Sequence, residues 1–298
     1  MSKHWLEAFR LRTLPLAWSC IGMGGILTAL HAQFDTVAFL LVLLTATLLQ
    51  ILSNLANDYG DYRTGLDGEH RVGPQRTVQA GKITAPAMRR MMGLFAGLSL
   101  VSGLLLLFRA AYGAWYIFGG FLGLGLLAIL AAIAYTVGKR PYGYAGLGDI
   151  AVLIFFGWVG VGGTFFLLAQ EWHAVILLPA SSCGLLGTAV LNVNNIRDID
   201  ADRQSGKRSL PVRMGRSKAV LYHYALLAGA LGCALVYVLL TPFDWPELLF
   251  LLSAPLLWRN AQAVQRYHDP EKLDPYLKQL ALSTVAFVLL FGLGQWLR

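Results

Sequence analysis

A helix that crosses a bilayer needs about 20 mostly apolar residues, and nine stretches of this chain meet that pattern. They run over roughly 14–32, 35–54, 92–110, 112–136, 146–168, 173–194, 219–240, 245–263 and 279–297. Most are rich in Leu, Ala and Gly, and small residues of that kind let helices approach closely in lipid. The eighth is interrupted by Pro246 and Pro255. The first follows the basic residues Lys3, Arg10 and Arg12. Its apolar length exceeds that of a signal-peptide core and no clean small-x-small cleavage site precedes Gln33, so an uncleaved first crossing is expected. The pattern predicts an all-α, polytopic membrane protein, with one integral-membrane domain over 1–298 and nine transmembrane helices in a bundle.

Composition supports that class. Of the 298 residues, 56% are hydrophobic and 13% charged, about half the charge of an ordinary soluble domain. The mean hydropathy is +0.57. Too little charge is present to cover a water-soluble core of this size. A disordered chain, a disulfide scaffold and a coiled coil are excluded on the same grounds. Cys20, Cys183 and Cys233 all lie in apolar stretches without a CxxC pattern, so neither a disulfide framework nor a thiolate metal site is indicated.

The net charge of +8 is explained by sidedness. The turns from His31 to Asp35, Gln170 to His173 and Thr241 to Trp245 carry no Lys or Arg. Of the 24 basic residues, all but Arg109 and Arg298 fall on the N-terminus, on the intervening connections or, for Arg259, at the adjoining end of the eighth stretch. With nine crossings these share one side, and the positive-inside rule gives N-in, C-out. Nucleic-acid binding loses its motivation.

The two most polar connections, about 54–91 and 194–218, begin alike. One reads Asn54-Leu-Ala-Asn57-Asp58-Tyr-Gly-Asp61, the other Asn194-Asn195-Ile-Arg-Asp198-Ile-Asp200-Ala-Asp202. Both hold Asn-x-x-x-Asp with another Asp three or four residues on, and positions four apart share a helical face. An even number of crossings separates the two, which suggests a parallel duplication with facing clusters. Facing carboxylates repel unless a cation sits between them. Oxygen-rich sites of this type suit Mg²⁺, which bridges carboxylates to substrate phosphates. Arg63, Arg71, Arg76, Lys139, Arg140, Lys207 and Arg208 supply nearby positive charge. The combination points to a metal-bound diphosphate at the membrane surface, and Gly-rich nucleotide loops are absent. Asp200 falls off the four-residue spacing and is expected to be a bystander. Asp67 and Glu69 are open between solvated and functional roles, and Asp149 is expected to be structural, with a contact to Lys139–Arg140 open to it. Trp115, Trp172, Trp245 and Trp296 suit interfacial anchoring.

These residues resemble the intramembrane aromatic prenyltransferases, the UbiA-type superfamily of quinone-pathway enzymes. The carrying segments are Leu52-Ser-Asn-Leu-Ala-Asn-Asp-Tyr-Gly-Asp61, Tyr135-Thr-Val-Gly-Lys-Arg-Pro-Tyr-Gly-Tyr144 with Gly146-Leu-Gly-Asp149, and Asn194-Asn-Ile-Arg-Asp198 through Gly206-Lys-Arg-Ser-Leu-Pro-Val-Arg213. Asn57-Asp58-Tyr-Gly-Asp61 matches the start of the family's first motif, although Gly65 stands at its last acidic position, two residues before Asp67. Asp198-x-x-x-Asp202 matches the second motif. In detail the chain is most similar to the branch that prenylates 1,4-dihydroxy-2-naphthoate. The resemblance implies that Asp58 and Asp61 hold one Mg²⁺ and Asp198 and Asp202 a second, bridged by the substrate diphosphate, with Asn54 and Asn194 orienting carboxylates or binding metal. It implies Lys207 foremost, with Arg71, Arg76, Lys139, Arg140 and Arg208, as diphosphate ligands, and Tyr135 as a ring-face stabiliser of an allylic cation. The implied reaction joins a polyprenyl diphosphate to the aromatic acceptor with decarboxylation, giving demethylmenaquinone at its reduced, hydroquinone level, in the bacterial inner membrane with the active site toward the cytoplasm. Lipid and the two substrates are the implied partners, with no nucleic acid and no obligate protein partner. Another acceptor, such as 4-hydroxybenzoate, stays open. So does a divalent-cation or proton-coupled transporter, although transporter sites sit at the bilayer midplane and these clusters lie at helix ends.

Overall fold

The computed structural model describes residues 3–64 and 76–298, and every regular element in them is helical. In chain order these are α1 (Lys3–Phe9), α2 (Leu14–His31), α3 (Thr36–Thr64), α4 (Ala85–Ala110), α5 (Trp115–Ala134), α6 (Gly148–Val152), α7 (Thr164–Ala169), α8 (Leu177–Arg197), α9 (Ile199–Gln204), α10 (Leu210–Met214), α11 (Arg216–Leu240), α12 (Ala254–Arg266) and α13 (Pro270–Trp296). A π-helical run, Leu153–Gly163, links α6 to α7 within one crossing. Among the described residues eight helical segments are long and apolar enough to cross a membrane.

The eighth expected crossing is built differently. Trp245–Ser253 is a 3-10 helix and α12 follows it directly. Each piece begins with a proline at its first or second position, where the missing N–H costs nothing. A single long α-helix through Pro255 would lose a hydrogen bond and clash with the preceding turn. Asp244 and Glu247 close a capping box at the 3-10 start, with Asp244 Oδ1 accepting from the Trp245 amide at 2.8 Å.

The helices group into two units. The first comprises Met1–Leu14, Thr36–Gly148 and Asp198–Ser209. Here α3 packs on α1, α4 and α5, around a core that includes Phe9, Leu52, Leu55, Met88 and Phe95. Phe9 meets Phe95 edge-on at 5.1 Å. The outer faces of α4 and α5 stay apolar and uncovered, with 6% of the α5 crossing buried and Leu94, Leu105 and Leu130 all more than half exposed. Apolar faces of that extent suit lipid, not water.

Helix α3 carries the first motif further than hydropathy suggests. Its 29 residues give about 43 Å of helix at 1.5 Å per residue, against a hydrocarbon layer of about 30 Å. The surplus of roughly 13 Å corresponds to about nine residues, the length of 56–64. The connection expected from 54 is therefore helical through its acidic motif.

The second unit comprises Pro15–Asp35, Asp149–Arg197 and Leu210–Arg298. Within it α8 packs against α11, α13 and the π-helical run, over a core that includes Met23, Phe165, Leu186, Tyr237, Phe250 and Phe287. Two buried polar residues there pair between helices: His223 Nε2 lies 3.0 Å from Asn260 Oδ1, and Asn260 Nδ2 donates to the Tyr276 carbonyl at 2.9 Å.

Candidate functional site

Asp58, Asp61, Asp198 and Asp202 all belong to the first unit, and all four are buried. The first pair is set by the end of α3. Thr136, just past α5, donates its hydroxyl to the Ala56 carbonyl at 2.9 Å and to Asn57 Oδ1 at 3.2 Å. Gly60 permits that approach, because a Cβ there would lie 2.5 Å from the Thr136 carbonyl oxygen.

Each carboxylate of this pair has its own donors. Asp58 Oδ2 accepts from the Thr77 amide at 3.1 Å and from the Thr77 hydroxyl at 2.6 Å. Among the described residues its Oδ1 is buried without a hydrogen-bond partner, and the residue is 1% exposed. A buried bare carboxylate oxygen is costly unless a ligand engages it. Asp61 Oδ1 accepts from the Tyr144 hydroxyl at 2.5 Å, while Asp61 Oδ2 is ion-paired with Arg76.

The second pair lies on and beside α9, with Asp198 at its N-cap. Asp202 accepts from Lys207 Nζ at 3.2 Å and from the Ser209 hydroxyl at 3.1 Å. Burial pushes the Asp202 carboxyl above its ordinary value, an effect that Lys207 opposes and the Asp198 charge reinforces. The chain then returns to the first pair's surroundings, since the Arg208 amide donates to the Tyr144 carbonyl at 2.9 Å. Tyr144 thus touches Asp61 of the first motif and the segment that follows the second.

The remaining expected residues are placed variously. Arg76 and Lys207, expected on a diphosphate, each neutralise one motif carboxylate here. Lys139 and Arg140 are exposed after α5, as is the side chain of Arg208. The half-buried Tyr135 ring meets Tyr142 edge-on at 5.3 Å. Asn54 donates to the Phe9 carbonyl and the Thr13 hydroxyl, both at 2.9 Å, and so holds α1 to α3. Asn194 belongs to the second unit, where its oxygen accepts from Arg197 at 2.9 Å. Asp200 is exposed beside Arg203 at 3.7 Å, as a bystander would be. The partner of Asp149 is the Tyr222 hydroxyl. Arg71, Asp67 and Glu69 lie outside the described residues.

Thr77, Tyr144 and Ser209 were not singled out from sequence. Each supplies one hydroxyl to one motif carboxylate, and nothing in their type or spacing marks that role. Among the described residues no three His, Cys, Asp or Glu side chains form a ready cage for a metal ion. The donor set still fits a hard cation, because Mg²⁺ is commonly held by one or two carboxylates together with substrate phosphates and water. The bare Asp58 Oδ1 is a free acceptor for such an ion.

Comparison with known proteins agrees with this chemistry. The model of the UbiA prenyltransferase family matches residues 16–295. The chain is 48% identical to the 1,4-dihydroxy-2-naphthoate octaprenyltransferase of Escherichia coli (strain K12), over 99% of this chain and 97% of that protein. It is 45% identical to the enzyme of the same name from Haemophilus influenzae, over 98% and 95%. In fold it is similar to the UbiA homolog from Archaeoglobus fulgidus bound to DMAPP and Mg²⁺, with a TM-score of 0.61, 18% identity and coverage of 97% of this chain and 99% of that one. A family match over nearly the whole length, joined to two relatives above 40% identity, places this chain in the UbiA prenyltransferase family.

Proposed function

We propose that this protein transfers a polyprenyl group from an allylic polyprenyl diphosphate to 1,4-dihydroxy-2-naphthoate, with Mg²⁺ as cofactor. The observation that carries the reading is the gathering of both acidic motifs in one unit, each carboxylate pair with its own cation. The names of the two relatives support the acceptor, and the Mg²⁺ bound to the A. fulgidus homolog supports the cofactor.

Asp58 and Asp61 would hold one ion in this reading, and Asp198 and Asp202 a second. Bound Mg²⁺ supplies charge neutralisation for the departing diphosphate. Arg76 and Lys207 are close enough to the carboxylates to exchange them for phosphate oxygens when the substrate arrives. Arg71, Lys139, Arg140 and Arg208 add positive charge around the leaving group. Asn54 keeps α3 in place through α1. The allylic C–O bond breaks with its electrons going to the diphosphate, and the Tyr135 ring face steadies the resulting cation. The electron-rich ring carbon of the acceptor attacks, and its carboxylate leaves as carbon dioxide. Charge balances without an added proton, because the naphthoate and diphosphate charges end on free diphosphate.

The membrane arrangement proposed with this is nine crossings, N-in and C-out, in a bacterial inner membrane with the acidic motifs toward the cytoplasm. Nine 3-10 residues followed by 13 α-helical ones give about 37 Å of helix, enough to cross the roughly 30 Å hydrocarbon layer. The basic connections support the orientation.

Purified protein given Mg²⁺, a prenyl diphosphate and either dihydroxynaphthoate or 4-hydroxybenzoate tests the reading. Prenylation of the naphthoate with release of carbon dioxide is expected. Prenylation of 4-hydroxybenzoate alone would overturn the acceptor assignment, and no prenylation of either would overturn the reaction.

A further inference from the structure

We infer that Tyr144 is a positioning residue that couples the two acidic motifs and sets how tightly the site holds Mg²⁺, an inference that rests on the metal reading above. Three observations carry it. Its hydroxyl donates to Asp61 Oδ1 at 2.5 Å, and its carbonyl accepts from the Arg208 amide at 2.9 Å. The residues on either side of Arg208, Lys207 and Ser209, both hold Asp202. One residue between α5 and α6 therefore reaches a carboxylate of the first motif directly and a carboxylate of the second through a single peptide.

The local backbone makes that reach rigid. The Tyr142 amide donates to the Ala134 carbonyl at 3.3 Å, and the Gly143 amide to the Tyr135 carbonyl at 3.0 Å. The Tyr142 hydroxyl donates to the Ala131 carbonyl at 2.9 Å. The connection is thus fastened back onto the end of α5. A side chain at Gly143 would collide with Tyr135, since a Cβ there would lie 2.7 Å from the Tyr135 carbonyl oxygen. Tyr144 is presented from this platform.

The Tyr144 hydroxyl and Arg76, both on Asp61, differ in what a substrate does to them. Arg76 is a cation that a diphosphate competes for. The Tyr144 hydroxyl is neutral, so it keeps its hold on Oδ1 after Arg76 has turned to phosphate, and it adds no positive charge to repel a metal. Hydrogen-bonded partners of metal ligands typically change metal affinity 10–100-fold when removed.

The test is Tyr144→Phe, which deletes the hydroxyl and keeps the carbonyl and the turn. Wild-type and variant protein in detergent are titrated with Mg²⁺ at fixed inorganic diphosphate, following the thermal transition, and hydrogen exchange is read at the Arg208 amide. The Mg²⁺ dependence of turnover and the acceptor KM are measured alongside. The expected result is an unchanged ligand-free transition, a Mg²⁺ midpoint raised about tenfold or more, faster exchange at Arg208 and an unchanged acceptor KM. A normal wild-type response with an unshifted variant overturns this inference alone. A wild-type protein with no Mg²⁺ response overturns the metal reading, and this inference with it. If the variant also loses ligand-free stability, Asp61→Asn in the same background decides. A combined loss of Mg²⁺ affinity smaller than the sum of the two single losses supports the coupling, whereas a fully additive loss overturns it.

Discussion

Gly60 offers a test in which two opposing effects of known size meet at the site. Replacing a mid-helix glycine by alanine ordinarily stabilises by about 1 kcal/mol, because alanine loses less backbone entropy. In this protein the new Cβ would sit 2.5 Å from the Thr136 carbonyl oxygen and 2.7 Å from its carbonyl carbon, where ordinary contact begins at 3.4 Å. The obstacle is backbone, so α3 or the segment after α5 must move by about 0.9 Å, and overpacking of this kind costs about 1–3 kcal/mol. That movement also strains the Thr136 hydroxyl bond to Ala56, worth about 1 kcal/mol. The balance is a net loss of about 1–3 kcal/mol. The larger consequence is chemical, since Asp58 and Asp61 flank Gly60 and a misplacement near 1 Å can cost about 100-fold in rate. Gly93→Ala is the internal control: that glycine is exposed on α4 with nothing within 4 Å of a built Cβ. Thermal unfolding in detergent and Mg²⁺-dependent prenylation should both fall for Gly60→Ala, while Gly93→Ala should be neutral or slightly stabilised. Equal behaviour of the two variants would refute the steric argument.

Three further outcomes are expected. Asp58→Ala and Asp198→Ala should each abolish Mg²⁺-dependent prenylation in membranes while leaving insertion and expression intact, and near-normal turnover in either would remove that residue from the site. Lys207→Ala should raise the apparent KM for the prenyl diphosphate by about tenfold, as loss of a charge-assisted contact near 1.5 kcal/mol predicts, with the acceptor KM unchanged. Chelation of Mg²⁺ should stop turnover reversibly, yet in the absence of diphosphate it should scarcely move the thermal transition, because Arg76 and Lys207 already neutralise Asp61 and Asp202. A large drop in the transition on chelation would contradict that pairing.

Much of this molecule is legible in the one-dimensional pattern because the forces involved are local or averaged over many residues. Twenty apolar residues in a row dictate a crossing helix wherever they sit, and the clustering of Lys and Arg on alternate connections sets which side is basic. The four-residue spacing of Asn54 and Asp58 places them on one helix face, because α3 runs unbroken to Thr64. Residue type also marks the carboxylates as chemical candidates. What hydropathy misjudged were the backbone decisions. It ended the second crossing near 54, whereas packing against the end of α5 keeps α3 helical through the acidic residues. The interruption of the eighth stretch by Pro246 and Pro255 was visible in the sequence, but not its form, a 3-10 helix followed directly by α12.

The tertiary fold alone decided what each carboxylate touches. Thr77 meets Asp58 across 19 residues and Tyr144 meets Asp61 across 83, distances over which helical periodicity carries no information. Whether Arg76 and Lys207 face solvent, phosphate or a carboxylate depends on how the turns return, and here they return onto Asp61 and Asp202. A threonine, a tyrosine and a serine are ordinary polar residues in a sequence. They become part of the site because the chain's path brings one hydroxyl to each of three buried acids, where an unsatisfied charge would be too costly to keep.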